Sequence, residues 1–150
     1  MYGLIAAAAV LLTGLSAAAG LLGAWRWWQV RPTRAFWVLA RAAQVAAVAL
    51  AAAGGVAAAL GHEPEDGLFW VYALVPVVVS FLAEQLRLAS ASTVLDARGL
   101  ASAQAVGELP AAEQRSVVLA IVRREMGVMA LGMFVLCFMG ARAIGTAAGI

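Results

Sequence analysis

Apolar residues gather into four long runs, Gly3 to Trp25, Phe36 to Leu60, Leu68 to Ala83 and Met126 to Ala141, each separated from the next by charged or turn-forming residues. A bilayer core of about 30 Å calls for about 20 helical residues. The first two runs reach that length, and the last two reach it only when their polar ends are included. The pattern therefore predicts an all-α membrane protein, a four-transmembrane-helix bundle with spans at approximately 3–25, 36–60, 68–88 and 122–143. Residues 89–121 form a helical cytoplasmic connection between helices three and four, and residues 1–150 form a single integral membrane domain. In the connection, helix three is expected to continue through Val94 and Leu95 until Gly99, and a short helix to run from Leu100 to Val106 and stop at Gly107. Pro110 and Glu113 suit the first turn of a helix that continues into the fourth span. Val117, Val118, Ile121 and Val122 recur at helical spacing opposite Gln114, Arg115 and Arg123, which makes the start of that helix amphipathic.

Charge sets the expected orientation. All ten basic residues are arginines, and nine of them (26, 31, 34, 41, 87, 98, 115, 123 and 124) fall in or beside the first and third connections, while only Arg142 marks the opposite end. The second connection, Gly61 to Gly67, carries Glu63, Glu65 and Asp66 and no arginine. By the positive-inside rule both termini lie outside. Trp25, Trp27, Trp28 and Trp37 then mark the inner interface, and Tyr2, Phe69, Trp70 and Tyr72 the outer one. The small residues Ser16 to Ala19 resemble a signal cleavage site, but no basic region precedes the first run and arginines follow it, as in an uncleaved helix.

The composition agrees, with 65% hydrophobic residues in 150 and a mean hydropathy of +0.94. A soluble domain cannot hide that much apolar surface, so lipid takes part of it. A net charge of +2 resides in arginines beside the membrane rather than on a basic face, which leaves nucleic-acid binding without support. The expected partners are the lipid bilayer and either a second copy of the chain or another membrane protein. Small-residue stripes, Ser16, Gly20 and Ala24 on helix one and Ala51, Gly55 and Ala59 on helix two, are the faces expected to associate.

Ionisable residues inside a span require a reason. Glu84 lies at the inner end of helix three, three residues before Arg87, and Arg41 lies at nearly the same depth in helix two. Gln44 is one turn deeper than Arg41, and Ser80 one turn deeper than Glu84. This predicts a two-rung ladder, Arg41 to Glu84 and Gln44 to Ser80, approached by Arg124 and Glu125 from helix four. It reads either as a structural ion-pair network or as a functional polar path, and snorkelling would account for Arg41 alone. Pro76 deprives the Tyr72 carbonyl of its helical partner and should bend helix three.

Other chemistry is thinner. Met126, Met129, Met133 and Cys137 share one stripe, which reads as packing or, with soft sulfur ligands, as a Cu(I) path. His62 beside Glu63, Glu65 and Asp66 reads as a solvated turn or as a metal or pH-sensing cluster. A single histidine outside the spans excludes bis-histidine haem within one chain, and the lack of lysine excludes a retinal-type Schiff base. No nucleophile triad, phosphate loop or zinc motif occurs, so neither an enzyme nor a cofactor is expected.

The segments Phe81 to Arg87, Leu95 to Leu100 and Arg123 to Met129 resemble those of small uncharacterised four-helix integral membrane proteins of high-GC Gram-positive bacteria. The resemblance covers the second half of the chain, implies a membrane location and brings no activity. Two functions are expected from these readings: a scaffold or accessory subunit of a membrane complex, or a small transporter or channel subunit with a polar path near Glu84, Arg41 and Gln44.

Overall fold

The computed structural model describes residues 2–62 and 66–147, and all regular structure among them is helical. Six helices follow in order: α1 (Tyr2–Gln29), α2 (Arg34–Ala59), α3 (Leu68–Leu88), α4 (Ser90–Ala97), α5 (Ala103–Gly107) and α6 (Ala111–Ala147). Helices α1, α2, α3 and α6 are long and apolar enough to cross a membrane. At about 1.5 Å per residue the 37 residues of α6 extend about 55 Å, so one end of it projects well beyond a hydrocarbon core.

Glycines and hydroxyls define the helix ends. Gly61 (φ 78°) and Gly99 (φ 67°) each occupy a left-handed position and close a Schellman motif, with His62 N–H donating to the Ala57 carbonyl (2.9 Å) and Leu100 N–H to the Leu95 carbonyl (3.0 Å). The end of α1 has the same hydrogen bonds, Val30 N–H to Trp27 and Arg31 N–H to Arg26, each 3.1 Å, but a β-branched valine holds the left-handed position at φ 51°. Thr33 caps α2 by accepting from Phe36 N–H, and Asp66 accepts from Leu68 N–H (2.8 Å) at the start of α3.

The connection departs from expectation in two places. Helix three does not continue through Val94, because α3 ends at Leu88 and α4 begins after Ala89. Hydroxyls crowd this point: Ser90 donates to the Leu86 carbonyl, and Ser92 and Thr93 both donate to the Ala89 carbonyl. Such back-bonding bends or interrupts helices. The short helix begins at Ala103 rather than Leu100, since Leu100 is committed to closing α4 and Ser102 provides the cap by accepting from Ala105 N–H. Of the expected apolar face at the start of α6, Val117 is buried, Ile121 and Val122 are half-buried and Val118 is exposed.

The four long helices form a closed ring, α1 beside α2, α2 beside α3, α3 beside α6 and α6 beside α1, each antiparallel to its neighbours. The α1–α6 seam is the most extensive and the α2–α3 seam the least. The register of α1 on α6 follows from close approaches of Thr13 to Gly140, Gly20 to Phe134, Gly23 to Ala130 and Trp27 to Gly127. Tyr2, Ala57, His62, Phe69 and Ala147 line one small cavity of about 10 Å³, so the described ends of α1 and α6 lie together at one end of the ring.

Aromatic side chains enter glycine notches to lock this arrangement. Phe36, fully buried near the start of α2, fills the notch at Gly23, where an added Cβ would collide with the ring and lie 3.0 Å from the Ala130 side chain. Phe69, fully buried at the start of α3, fills the notch at Gly54, where a Cβ would come within 2.8 Å of the ring. These contacts use up the helix-one stripe and leave the helix-two stripe open: Ser16 is buried and Gly20 packs on Phe134 of α6, whereas on α2 the packing glycine is Gly54 and a Cβ at Gly55 would meet nothing within 4 Å.

Two outcomes test this packing. Gly23→Ala is expected to destabilise the folded protein by about 1–3 kcal/mol through overpacking, while Gly55→Ala stays within about 0.5 kcal/mol of the parent, both measured by denaturant titration in mixed micelles. Val30→Gly is expected to raise stability by about 0.5–1 kcal/mol in the same titration, because it relieves a left-handed β-branched residue. No gain would mean that the α1–α2 turn relaxes without penalty.

Candidate functional site

Glu84 sits at the last full turn of α3 and faces the α2–α3 seam, its side chain 19% exposed. One carboxylate oxygen accepts from Arg41 Nη1 (2.6 Å) and Gln44 Nε2 (3.1 Å). The other accepts from Arg41 Nη2 (3.1 Å) and Arg87 Nε (2.9 Å). Arg41 thus grips the carboxylate with both arms of its fork, and all four lone-pair sites are engaged. Arg41 Nη1 also donates to Gln44 Oε1 (2.8 Å), which fixes the amide that turns toward Glu84. On the far side, the Arg87 guanidinium carbon lies 5.6 Å from the Trp37 ring centroid, a cation–π contact back to α2.

The structure therefore brings Arg41, Gln44, Glu84 and Arg87 together and leaves three expected members apart. Ser80 does not meet Gln44, since its hydroxyl donates to the Pro76 carbonyl of its own helix (2.7 Å). A serine in an apolar span satisfies itself most simply on the carbonyl one turn back. Arg124 and Glu125 form no ion pair among the described residues. Arg124 is exposed on α6, the helix diagonal to α2 in the ring, which puts it out of reach of Arg41.

The same self-satisfaction recurs at Thr13, Ser16 and Thr146, each donating to a carbonyl of its own helix. Glu84 consequently makes the only side-chain hydrogen bonds that join two of the four long helices among the described residues. They fall at the least extensive of the four seams. Chemically the cluster is one carboxylate between two guanidiniums, net positive and saturated in hydrogen bonds, so Glu84 would have to give up one of these bonds to bind a metal or accept a proton.

The sulfur stripe lies mostly in the packing, and the described members of the second connection serve helix ends. Met126, Met129 and Met133 are fully buried in the core, and Cys137 is partly exposed. His62 hydrogen-bonds the Leu60 carbonyl through its ring (3.1 Å), and Asp66 caps α3, while Glu63 and Glu65 lie outside the described residues. No cluster of three or more metal-ligating side chains occurs among the described residues. Sequence reasoning missed Gly23 and Gly54 as packing sites and Trp27 as a platform, over which the Arg123 guanidinium stacks at 4.8 Å. The Trp-rich turn beside that arginine was the only available signal for the last of these. No family model, curated protein or solved structure matches the chain.

A double-mutant cycle with Arg41→Gln and Glu84→Gln measures the clamp. A coupling of about 1–3 kcal/mol in folded stability is expected, with Glu84→Gln alone costing more than the double change, because it leaves Arg41 without its carboxylate and a lone charge at that depth is worse than none. Strict additivity would remove the direct pairing from the energetics of folding.

Proposed function

We propose that the protein is a four-span integral membrane scaffold or accessory subunit without catalytic activity, its termini outside and its α1–α2 and α3–α6 connections in the cytoplasm. The observation that carries this reading is the saturated Glu84 cluster: it closes the least extensive of the four helix seams, and its carboxylate, the one that bridges two long helices, has every acceptor site engaged. The ring interior supports it too, because its buried residues are almost all apolar, the exceptions being Ser16, Ser80, Ser90 and Thr146. A polar path through the centre would need more than hydroxyls turned into their own helices. Orientation rests on the nine arginines at one end of the ring and one at the other.

The partner would be a second copy or another membrane protein, docking on the outer face of α2. Arg41 is 52% exposed there, and Val45, Val48, Ala49 and Ala52 line a shallow open recess beside it. An exposed guanidinium at membrane depth calls for a covering surface or for the headgroup region. The same recess is what favours the alternative of a transporter or channel subunit, with a polar path near Glu84, Arg41 and Gln44 completed by that partner.

Single-cysteine variants in a Cys137→Ala background test the orientation: Pro32→Cys is expected to be shielded from an impermeant thiol reagent in intact cells and His62→Cys to be labelled, and the reverse pattern would invert the topology. For the function itself, gentle detergent extraction is expected to recover a stoichiometric membrane partner or a second copy. Ion or proton flux in reconstituted vesicles that disappears with Glu84→Gln, while folding is retained, would replace the scaffold with the transport reading.

A further inference from the structure

A second feature of the surface lies away from the clamp, on the outer side of the α3–α6 seam. There a groove of about 200 Å³ runs between walls formed by Leu82 and Leu86 on one side and Val128 and Leu131 on the other. Its floor is the point where Gly132 meets Ala83, so close that a Cβ on the glycine would lie 3.2 Å from the alanine methyl. The lining extends from Val79 to Leu86 on α3 and from Val128 to Val135 on α6, seven residue steps or about 10 Å along each axis. A groove of two turns is short for a partner helix, and it suits a flexible hydrocarbon chain.

Directly below the groove, one helical turn before Val128 and on the same face of α6, is Arg124. It is exposed and has no carboxylate within ion-pair distance among the described residues. No neighbouring acid neutralises it among the described residues: Glu125, one position along α6, makes no ion pair, and Glu84 is held by Arg41 and Arg87, while Arg123 stacks on Trp27 and Arg98 donates to Ser116 (3.1 Å). The result is an apolar slot at hydrocarbon depth whose end at Val128 lies one turn, about 6 Å of helix rise, from the backbone position of an arginine with no acidic partner among the described residues.

We propose that the α3–α6 groove is a binding site for an anionic phospholipid, with one acyl chain lying between Leu82, Leu86, Val128 and Leu131 and the phosphate hydrogen-bonded to Arg124. Apolar contact alone does not select one lipid over another, since every bilayer lipid offers the same chains. Selection comes from the headgroup, where a guanidinium pairs with a net-negative phosphate and is opposed by the choline of a zwitterionic one. This site needs only that the four long helices lie in a membrane; it is independent of which end faces the cytoplasm and of the scaffold reading.

The test is native mass spectrometry of the full chain, delipidated in detergent and titrated with phosphatidylglycerol or phosphatidylcholine of identical chains. The parent protein is expected to retain phosphatidylglycerol about fivefold better than phosphatidylcholine, the ratio that one interfacial arginine provides. Arg124→Gln should abolish that preference, and Leu131→Trp, which fills the groove from a rim position 68% exposed in the structure, should weaken retention of both lipids. Arg115→Gln, an exposed arginine of the same helix away from the groove, should change neither. The thermal shift of the parent protein on adding each lipid gives a readout that needs no variant, and phosphatidylglycerol is expected to stabilise it more. Equal retention of the two lipids by the parent, an undiminished preference in Arg124→Gln, or a dimer that Leu131→Trp dissociates regardless of lipid would each overturn the proposal.

Discussion

Helices in lipid gain nothing from hiding apolar side chains from one another, because the acyl chains outside are as apolar as the neighbouring helix. What holds four such helices in one ring is then contact density, and density depends on how closely backbones approach. In this chain the approach is set by Gly23 and Gly54, each occupied by a phenylalanine from the start of the following helix. Phe36 and Phe69 make the connection between two antiparallel helices rigid at the point where the chain has just turned. The α1–α6 seam repeats the device along its length, with Gly20 beneath Phe134, Gly127 beneath Trp27 and Gly140 against Thr13. That seam joins the first and last spans and closes the ring.

At the other end of the α2–α3 seam, a different force joins the glycine notch. The α2–α3 seam is the least packed of the four, and it holds the carboxylate with its two arginines. In a medium of low dielectric constant, charge-assisted hydrogen bonds act strongly, provided that no partner is left alone. Glu84 meets that condition by using every acceptor site. The hydroxyls elsewhere in the spans do the opposite, bonding back to their own helices, so they contribute nothing to the choice of neighbour. Among the described residues, the polar chemistry that joins the four long helices is therefore concentrated in a single clamp near the arginine-rich end.

That end also shows how cationic side chains are accommodated when acids are scarce. Arg123 rests on the face of Trp27 and Arg87 near Trp37, using ring quadrupoles where carboxylates are missing or already shared. Arg142 does the same over Tyr72 at the other end of the ring. Arg124 has neither an aromatic face nor an acid, and the groove above it gives its position chemical meaning.

The primary structure by itself determined the number and approximate extent of the long helices, since apolar runs of that length have few other fates. It also marked Gly61 and Gly99 as helix ends and placed Arg41 and Glu84 at one depth, because rise per residue converts sequence position into height. Rotation of each helix about its axis was not legible. Each residue step turns a helix by about 100°, and lipid-facing and core-facing positions carry the same alanines, valines and leucines, so no amphipathic signal separates them. That is why Gly54 and not Gly55 packs, why Gln44 turns to Glu84 and not to Ser80, and why Arg124 stands apart from the clamp. Only the fit of particular side chains into particular notches on neighbouring helices decides such rotations, and that fit exists nowhere until all four helices are in contact.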